Sequence, residues 1–273
     1  MKSKLEKKER IGFVDILRKS FGEYKGNFKS IFKFMLLFVG IPIFMFDIAN
    51  SIMFLLDKRL FDILMNPTDF SAGIINLPFY YNFVHVIIGI IFFFSLVFMI
   101  SGFIKTSLKK YHFSLEELKR NAKERYWKFC LFIIVYLIFI ALLSALLIIP
   151  GIIFGVFWVF AMYIFLDKKE KILLSLKKSR LLVKNNWWKI FGCILLILVA
   201  VVILFLGKFM FIPFDNIYQN NIANGMPTSF SFLAVYSFLM DAYSFIECLI
   251  LIPLAILFFK NLYLKLNEEE KHK

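Results

Sequence analysis

Phe129 to Asp167 reads FCLFIIVYLIFIALLSALLIIPGIIFGVFWVFAMYIFLD, 39 residues without a Lys or Arg. A helix needs roughly 20 apolar residues to cross a bilayer, so this run is long enough for two crossings. Pro150-Gly151 interrupts it near the middle. A proline that cannot donate and a glycine free to turn reverse the chain in very few residues. The stretch therefore predicts two spans, at about 129–149 and 151–166, joined by a tight turn. Gly151 and Gly155 add the small-xxx-small spacing that lets two membrane helices cross closely.

Working outward, Lys and Arg are also missing from 34–57, 60–104, 190–207 and 209–259. Divided by the length of a crossing, these add spans at about 34–56, 83–104, 190–206 and 232–259, which makes six. The fourth is short and the last long. The charges between the spans agree with this division. Residues 1–33 carry ten bases and four acids, 105–128 eight and three, 167–189 eight and two, and 260–273 four and three. In contrast 57–82 carry two bases and three acids, and 207–229 one of each. Under the positive-inside rule both termini and the two basic loops face the cytoplasm, and the intervening loops face outward. Met1 to Arg10 leads into the mixed stretch Ile11–Lys33 instead of a short apolar region, so no cleavable leader is expected.

Composition fits the same picture. Of 273 residues, 60% are hydrophobic and 19% aromatic, too apolar for an ordinary soluble domain. The net charge of +14 lies in short blocks flanking apolar spans. That distribution suits anionic lipid headgroups as neighbours and does not call for nucleic acid. The expected fold class is all-α: a single polytopic membrane domain over 1–273, in a plasma membrane of prokaryotic type. Cys130, Cys193 and Cys248 are scattered within spans, giving neither a disulfide framework nor a metal-ligand pair; packing is their simpler role.

The chain also repeats itself. A shift of 159 lays Phe13, Leu17, Ser20 and Tyr24 on Ile172, Leu176, Ser179 and Val183, followed by Lys25 on Lys184, Asn27 on Asn186 and Phe28 on Trp187. A shift of 61 lays Tyr111, Leu115, Leu118 and Ala122 on the same stripe, with Lys123 on Lys184 and Trp127 on Trp188. Three units result, 11–104, 109–166 and 170–259. In each, the spacing i, i+4, i+7, i+11 traces one face of a helix, with bases on the other side. The expectation is three cationic amphipathic helices resting in the headgroup plane, each leading into a pair of spans. Phe28, Trp127, Trp187 and Trp188 are expected as interfacial anchors, and Lys25, Lys123 and Lys184 as headgroup contacts, although a solvated lysine is the plainer reading of each. Ser20 and Ser179, small residues inside the stripe, predict close helix packing ahead of ligand binding.

The run Ile148-Ile149-Pro150-Gly151, the apolar helix with Trp158, Phe160 and Ala161, then Ser175, Ser179 and Asn186-Trp187-Trp188-Lys189-Ile190-Phe191-Gly192, resembles the membrane domain attached to some glycerophosphodiester phosphodiesterases. Related stand-alone, uncharacterised prokaryotic inner-membrane proteins look similar. The likeness covers about 120–200. It implies a six-span fold of paired helices and carries over no catalytic residue. The chain has no room for the soluble phosphodiesterase domain, so that activity is not expected.

Three charged residues fall inside the predicted spans, all of them acids: Asp47, Asp241 and Glu247. At 1.5 Å per residue, Asp47 lies about 21 Å beyond Lys33 and Glu247 about 20 Å from Lys260, which puts the two at a shared depth in the outer half. Asp241 and His85 fall near the outer interface, and Asn50, Ser237, Ser244 and Cys248 extend the polar stripe. Intramembrane acids are costly unless paired, hydrated or protonated, and so are functional candidates. Against that, Asp47 and Asp241 also suit helix ends that reach water, and His85 suits a neutral interfacial side chain. No metal, nucleotide or nucleophile motif is present in the sequence, so neither an enzyme nor a cofactor is expected. The sequence favours a non-enzymatic scaffold or interaction module on anionic lipid, in company with a membrane-protein partner or a homo-oligomer. The alternative is a transporter of a small solute, cation or proton using the intramembrane carboxylates; the parallel repeats, unlike many inverted ones, speak against it.

Overall fold

The computed structural model describes residues 13–56, 79–211 and 230–271. Among them there is helix and connecting turn, and no strand. Six helices are long and apolar enough to cross a membrane: Phe28–Ala49, Phe79–Lys109, Tyr126–Leu146, Ile148–Asp167, Trp187–Met210 and Phe238–Glu270. The protein is a multi-pass membrane protein. Much of the two outward loops expected from the charge pattern lies outside the described residues.

Each repeat opens with a short helix: α1 (Phe13–Gly26) in the first, α5 (Leu115–Lys123) in the second and α9 (Ile172–Lys184) in the third. The first unit continues as α2 (Phe28–Met35), a π-helical turn (Leu36–Gly40), α3 (Ile41–Leu56) and α4 (Phe79–Lys109). The second continues as α6 (Tyr126–Leu146), α7 (Ile148–Phe157) and α8 (Ala161–Asp167). The third continues as α10 (Trp187–Leu206), a 3₁₀ turn (Gly207–Phe211) and α11 (Phe230–Lys271).

The three short helices hand over to their spans through one backbone shape. Asn27 (φ −115°, ψ 8°), Arg125 (φ −148°, ψ 25°) and Asn186 (φ −127°, ψ 18°) sit at the same place in the repeat and bend the chain alike. They also bury the same positions: Ile16, Ser20, Glu23 and Tyr24 in α1 match Ser175, Ser179, Leu182 and Val183 in α9, and Leu118, Asn121 and Ala122 match them in α5. This revises the expectation of an apolar stripe lying in the headgroup plane. That stripe is shared between protein and surroundings: Ser20 and Tyr24 face inward while Leu17 is exposed beside Val14 and Phe21.

The contacts of these helices form a closed cycle. α5 packs on α4, the last span of the unit before it, and α9 packs on α7 and α8, the last span of its own predecessor. α1, in the first of the three units, packs on α11, the second span of the third. The second spans of all three units meet in the middle. α4 contacts α8 and α11, while Phe160 and Tyr163 stack on Tyr263 and the Tyr163 hydroxyl donates to the Ile256 carbonyl at 3.0 Å. Among the first spans α10 lies farthest out, exposing Leu195, Val199, Val202 and Ile203, whereas Phe28–Ala49 buries Ile31, Phe34, Met35 and Val39 in the bundle.

Several irregularities in the spans are matched by a neighbour. Pro253 in α11 has no N–H for the Leu249 carbonyl, and the Tyr24 hydroxyl of α1 donates to that carbonyl at 3.3 Å. The π-helical turn leaves the Phe38 carbonyl to accept from Ser95 Oγ at 2.7 Å. The fourth span is broken between α7 and α8, where Ser179 Oγ donates to the Phe157 carbonyl at 2.7 Å and accepts from the Phe160 N–H at 3.2 Å. The turn expected at Pro150-Gly151 is displaced. The chain reverses at Leu147, which is extended (φ −159°, ψ 136°), and Pro150 falls in the first turn of α7, where a missing N–H costs nothing. Gly151 supplies the close crossing instead, since a Cβ there would stand 2.2 Å from Ser144 Oγ; Gly155 is uncrowded, with Ile140 at 4.0 Å.

Candidate functional site

Two polar layers cut the bundle, one toward each end of the spans. The layer holding the intramembrane acids is organised differently from its spacing in the sequence. Asp47 of α3 and Asp241 of α11 bring their carboxyl groups close enough to interact. Glu247 lies elsewhere, in an ion pair at 3.3 Å with Lys208, the one base of the 207–229 segment, whose ammonium also lies 5.4 Å from the Phe205 ring. The 3₁₀ turn carries Lys208 here because Tyr243 of α11 donates to the Leu204 carbonyl at 2.6 Å and crowds Gly207, where no side chain fits. His85 Nδ1 lies 2.7 Å from the Tyr81 carbonyl, and its ring packs edge-on against Phe46, the neighbour of Asp47. The side chains of Asn50 and Ser237 lie outside the described residues.

The layer at the basic end is more tightly built. Lys260 Nζ donates to both carboxylate oxygens of Glu23, at 2.6 and 2.8 Å, with only 4% and 1% of the two side chains exposed. Beside this pair Asn261 Nδ2 donates to Ser20 Oγ at 3.0 Å, and Ser20 Oγ donates back to the Ile16 carbonyl at 2.7 Å. Asn27 ties three segments together: its amide donates to the Glu23 and Tyr111 carbonyls and its oxygen accepts from the Phe113 N–H, each at 2.8–2.9 Å. Tyr263 of α11 donates to Asp167 at 2.9 Å.

A second charged group surrounds Glu124, between α5 and α6. Lys105 of α4 pairs closely with it, Lys169 stands at 3.2 Å and Lys109 at 3.9 Å. The close ion pair with Lys105 is the main reason that the Glu124 carboxyl is pulled down to about 2, with Lys169 adding to it. Ser114 and Glu117 close a reciprocal cap on α5, and Lys110 pairs with Glu117, which draws that carboxyl down as well.

The expected headgroup contacts lie on the surface around this layer. Lys25, Lys123 and Lys184 are exposed. Trp127 and Trp188, equivalent in the repeat, are 72% and 77% exposed at the start of α6 and α10. Trp187 is half-buried and stacks on Phe191 at 5.1 Å. Clefts open at the same end, one of about 390 Å³ beside Asn27, Lys29, His112 and Glu117. Among the described residues no three His, Cys, Asp or Glu side chains converge as a metal site would need.

Sequence reasoning missed the Glu23–Lys260 pair and the Glu124 cluster, because single charges in basic segments read as solvated. The repeat held a signal for the first: it sets Glu23 on Leu182, an acid where the equivalent helix has a core leucine. Comparison of the chain with protein-family models, curated proteins and solved structures finds no match.

Proposed function

We propose that this protein is a non-enzymatic membrane module whose basic end gathers anionic lipid headgroups and presents them, with the bundle, to a membrane partner or a second copy. The observation that carries the reading is the threefold recurrence of one surface. In each unit an exposed lysine at the same repeat position (Lys25, Lys123, Lys184) is followed by an exposed aromatic at the head of a span, Trp127 and Trp188 at one repeat position and Phe28 one position earlier. Aromatics at headgroup level beside cations are what an anionic interface selects. In this reading that end is cytoplasmic, as the charge distribution requires, and the membrane is the plasma membrane. The resemblance of 120–200 to the membrane domain attached to some glycerophosphodiester phosphodiesterases is compatible with it.

The test is the lipid that the purified protein carries from its own membrane. Enrichment of anionic over zwitterionic lipid relative to the bulk membrane, reduced in a Lys25→Gln, Lys123→Gln, Lys184→Gln variant, supports the module; bulk composition around the wild type rejects it.

The Asp47–Asp241 pair supports a second reading, a proton or cation pathway. Proton flux into proteoliposomes that Asp47→Asn abolishes would establish it. Equal flux in variant and wild type would dismiss it.

A further inference from the structure

Glu124 is one carboxylate among three ammonium groups. Lys105, Lys169 and Lys109 all lie within 4 Å of it and close enough to one another for Lys109 and Lys169 to repel Lys105. One negative charge against three positive leaves a surplus of two, at the level where α4 ends and α6 begins. Like charges are gathered this way only at a cost, which an opposite charge removes.

Two further features set this cluster apart from a solvated patch. Lys105 is buried, and its ammonium has an ion pair but no aligned hydrogen bond. Lys169 has φ 54°, the one non-glycine residue among those described in the left-handed region. For a residue with a Cβ that conformation is costly, and strain of this kind persists where surrounding structure imposes it. Here it accompanies an ammonium held over the cluster. The Lys109 and Lys169 side chains are 55% and 62% exposed, so the surplus charge is open to a ligand.

We propose that Lys105, Lys109 and Lys169, spaced by Glu124, form a binding site for a phosphate group, carried either by a lipid headgroup or by free phosphate. This rests on the reading of the basic end as a surface for anionic lipid and assigns it one defined site. Lys109 and Lys169 would donate to the phosphate from the open side. Glu124 remains ionised, holds Lys105 in place and competes with the ligand for the two outer lysines.

The role of Glu124 makes the test sharp. The full chain in neutral detergent micelles, where no charged surface exists, is titrated with short-chain phosphatidylglycerol and phosphatidylcholine and read by native mass spectrometry. Lys109→Gln, Lys169→Gln should weaken phosphatidylglycerol retention about tenfold to thirtyfold, near the worth of two lysines beside one anion. Glu124→Gln should tighten it, which a merely structural role would not produce. Lys177→Gln, Lys189→Gln, at two exposed lysines outside the cluster and with the same loss of charge, should change it less than threefold. Equal weakening by the two double variants, weaker binding in Glu124→Gln, or no preference for phosphatidylglycerol in the wild type would each overturn the site. Competition by inorganic phosphate at comparable concentration marks free phosphate as a ligand, and its absence marks the headgroup; either supports the site. If lipid carried from the native membrane is still enriched in anionic species while these variants bind alike, the site alone falls and the module stands.

Discussion

Replacing Lys260 with Met should release α1 from the bundle. At the observed 2.6–2.8 Å separation, the attraction between Lys260 and Glu23 is about 6 kcal/mol for an effective dielectric constant near 20. Much of that is offset by the loss of hydration of both ions, so the pair itself adds little. Removing one partner is different, because the other is left charged in a site with 1% of its surface exposed; breaking such a pair costs about 3–5 kcal/mol. The cost falls on the contact between α1 and α11. Lys260→Met, and likewise Glu23→Gln, should therefore raise hydrogen exchange across Phe13–Gly26 by about two to three orders of magnitude. Exchange in the equivalent helices α5 and α9 should change far less. Glu23→Leu combined with Lys260→Met replaces both charges by apolar groups and should recover most of the protection. Unchanged exchange at α1 in either single variant, or a double variant as fast as the singles, would refute the account of α1 as a helix held by a buried ion pair.

Gly102→Ala would bring a Cβ to 2.6 Å from the Leu118 backbone carbonyl, which cannot swing away, so α4 and α5 should separate with a loss of about 1–3 kcal/mol in thermal unfolding. Gly155→Ala, with open space around it, should be within about 0.5 kcal/mol of wild type. Ser179→Ala strands the buried Phe160 N–H and the Phe157 carbonyl and should cost about 1–3 kcal/mol, which the same unfolding measurement reads. Glu124 is held near 2 in the folded protein against an ordinary 4.5, so it binds a proton less readily folded than unfolded. Its stabilising contribution is complete above about pH 4.5 and is lost as the pH falls toward 2. Wild-type protection of α5 should decline across that window, and the decline should be smaller in Glu124→Gln.

The spans were readable because lipid imposes one simple rule, apolar side chains over a fixed length, and because bases gather at one set of ends. Their kinks were less so. The reversal at Leu147 lies three residues before the proline that signals a turn, since proline is as well suited to the first turn of a helix as to a bend. The break at 158–160 leaves no mark of its own in the sequence and is sustained by Ser179, whose small side chain did predict a close approach. Depth along each span placed Asp47 and Glu247 together, but depth says nothing about which helix faces which. The pairing of Asp47 with Asp241, and of Glu247 with Lys208, depends on rotation about the helix axes. Glu23 and Lys260 are 237 positions apart, and each sits in a segment where a charged side chain is ordinarily in water.

The cycle of contacts also constrains how the chain comes into being. The helices α5 and α9 meet spans that have already been made, whereas α1, the earliest of the three, has its seat on α11, the last. At about 5–20 residues per second, synthesis takes on the order of tens of seconds to run from Glu23 to Lys260. Through that interval the first helix has no partner for its carboxylate, and the middle of the bundle lacks its third wall. Insertion of α11 is then the step that seats α1, and a nascent chain stalled before Lys260 stays open however well the five crossings before α11 are formed.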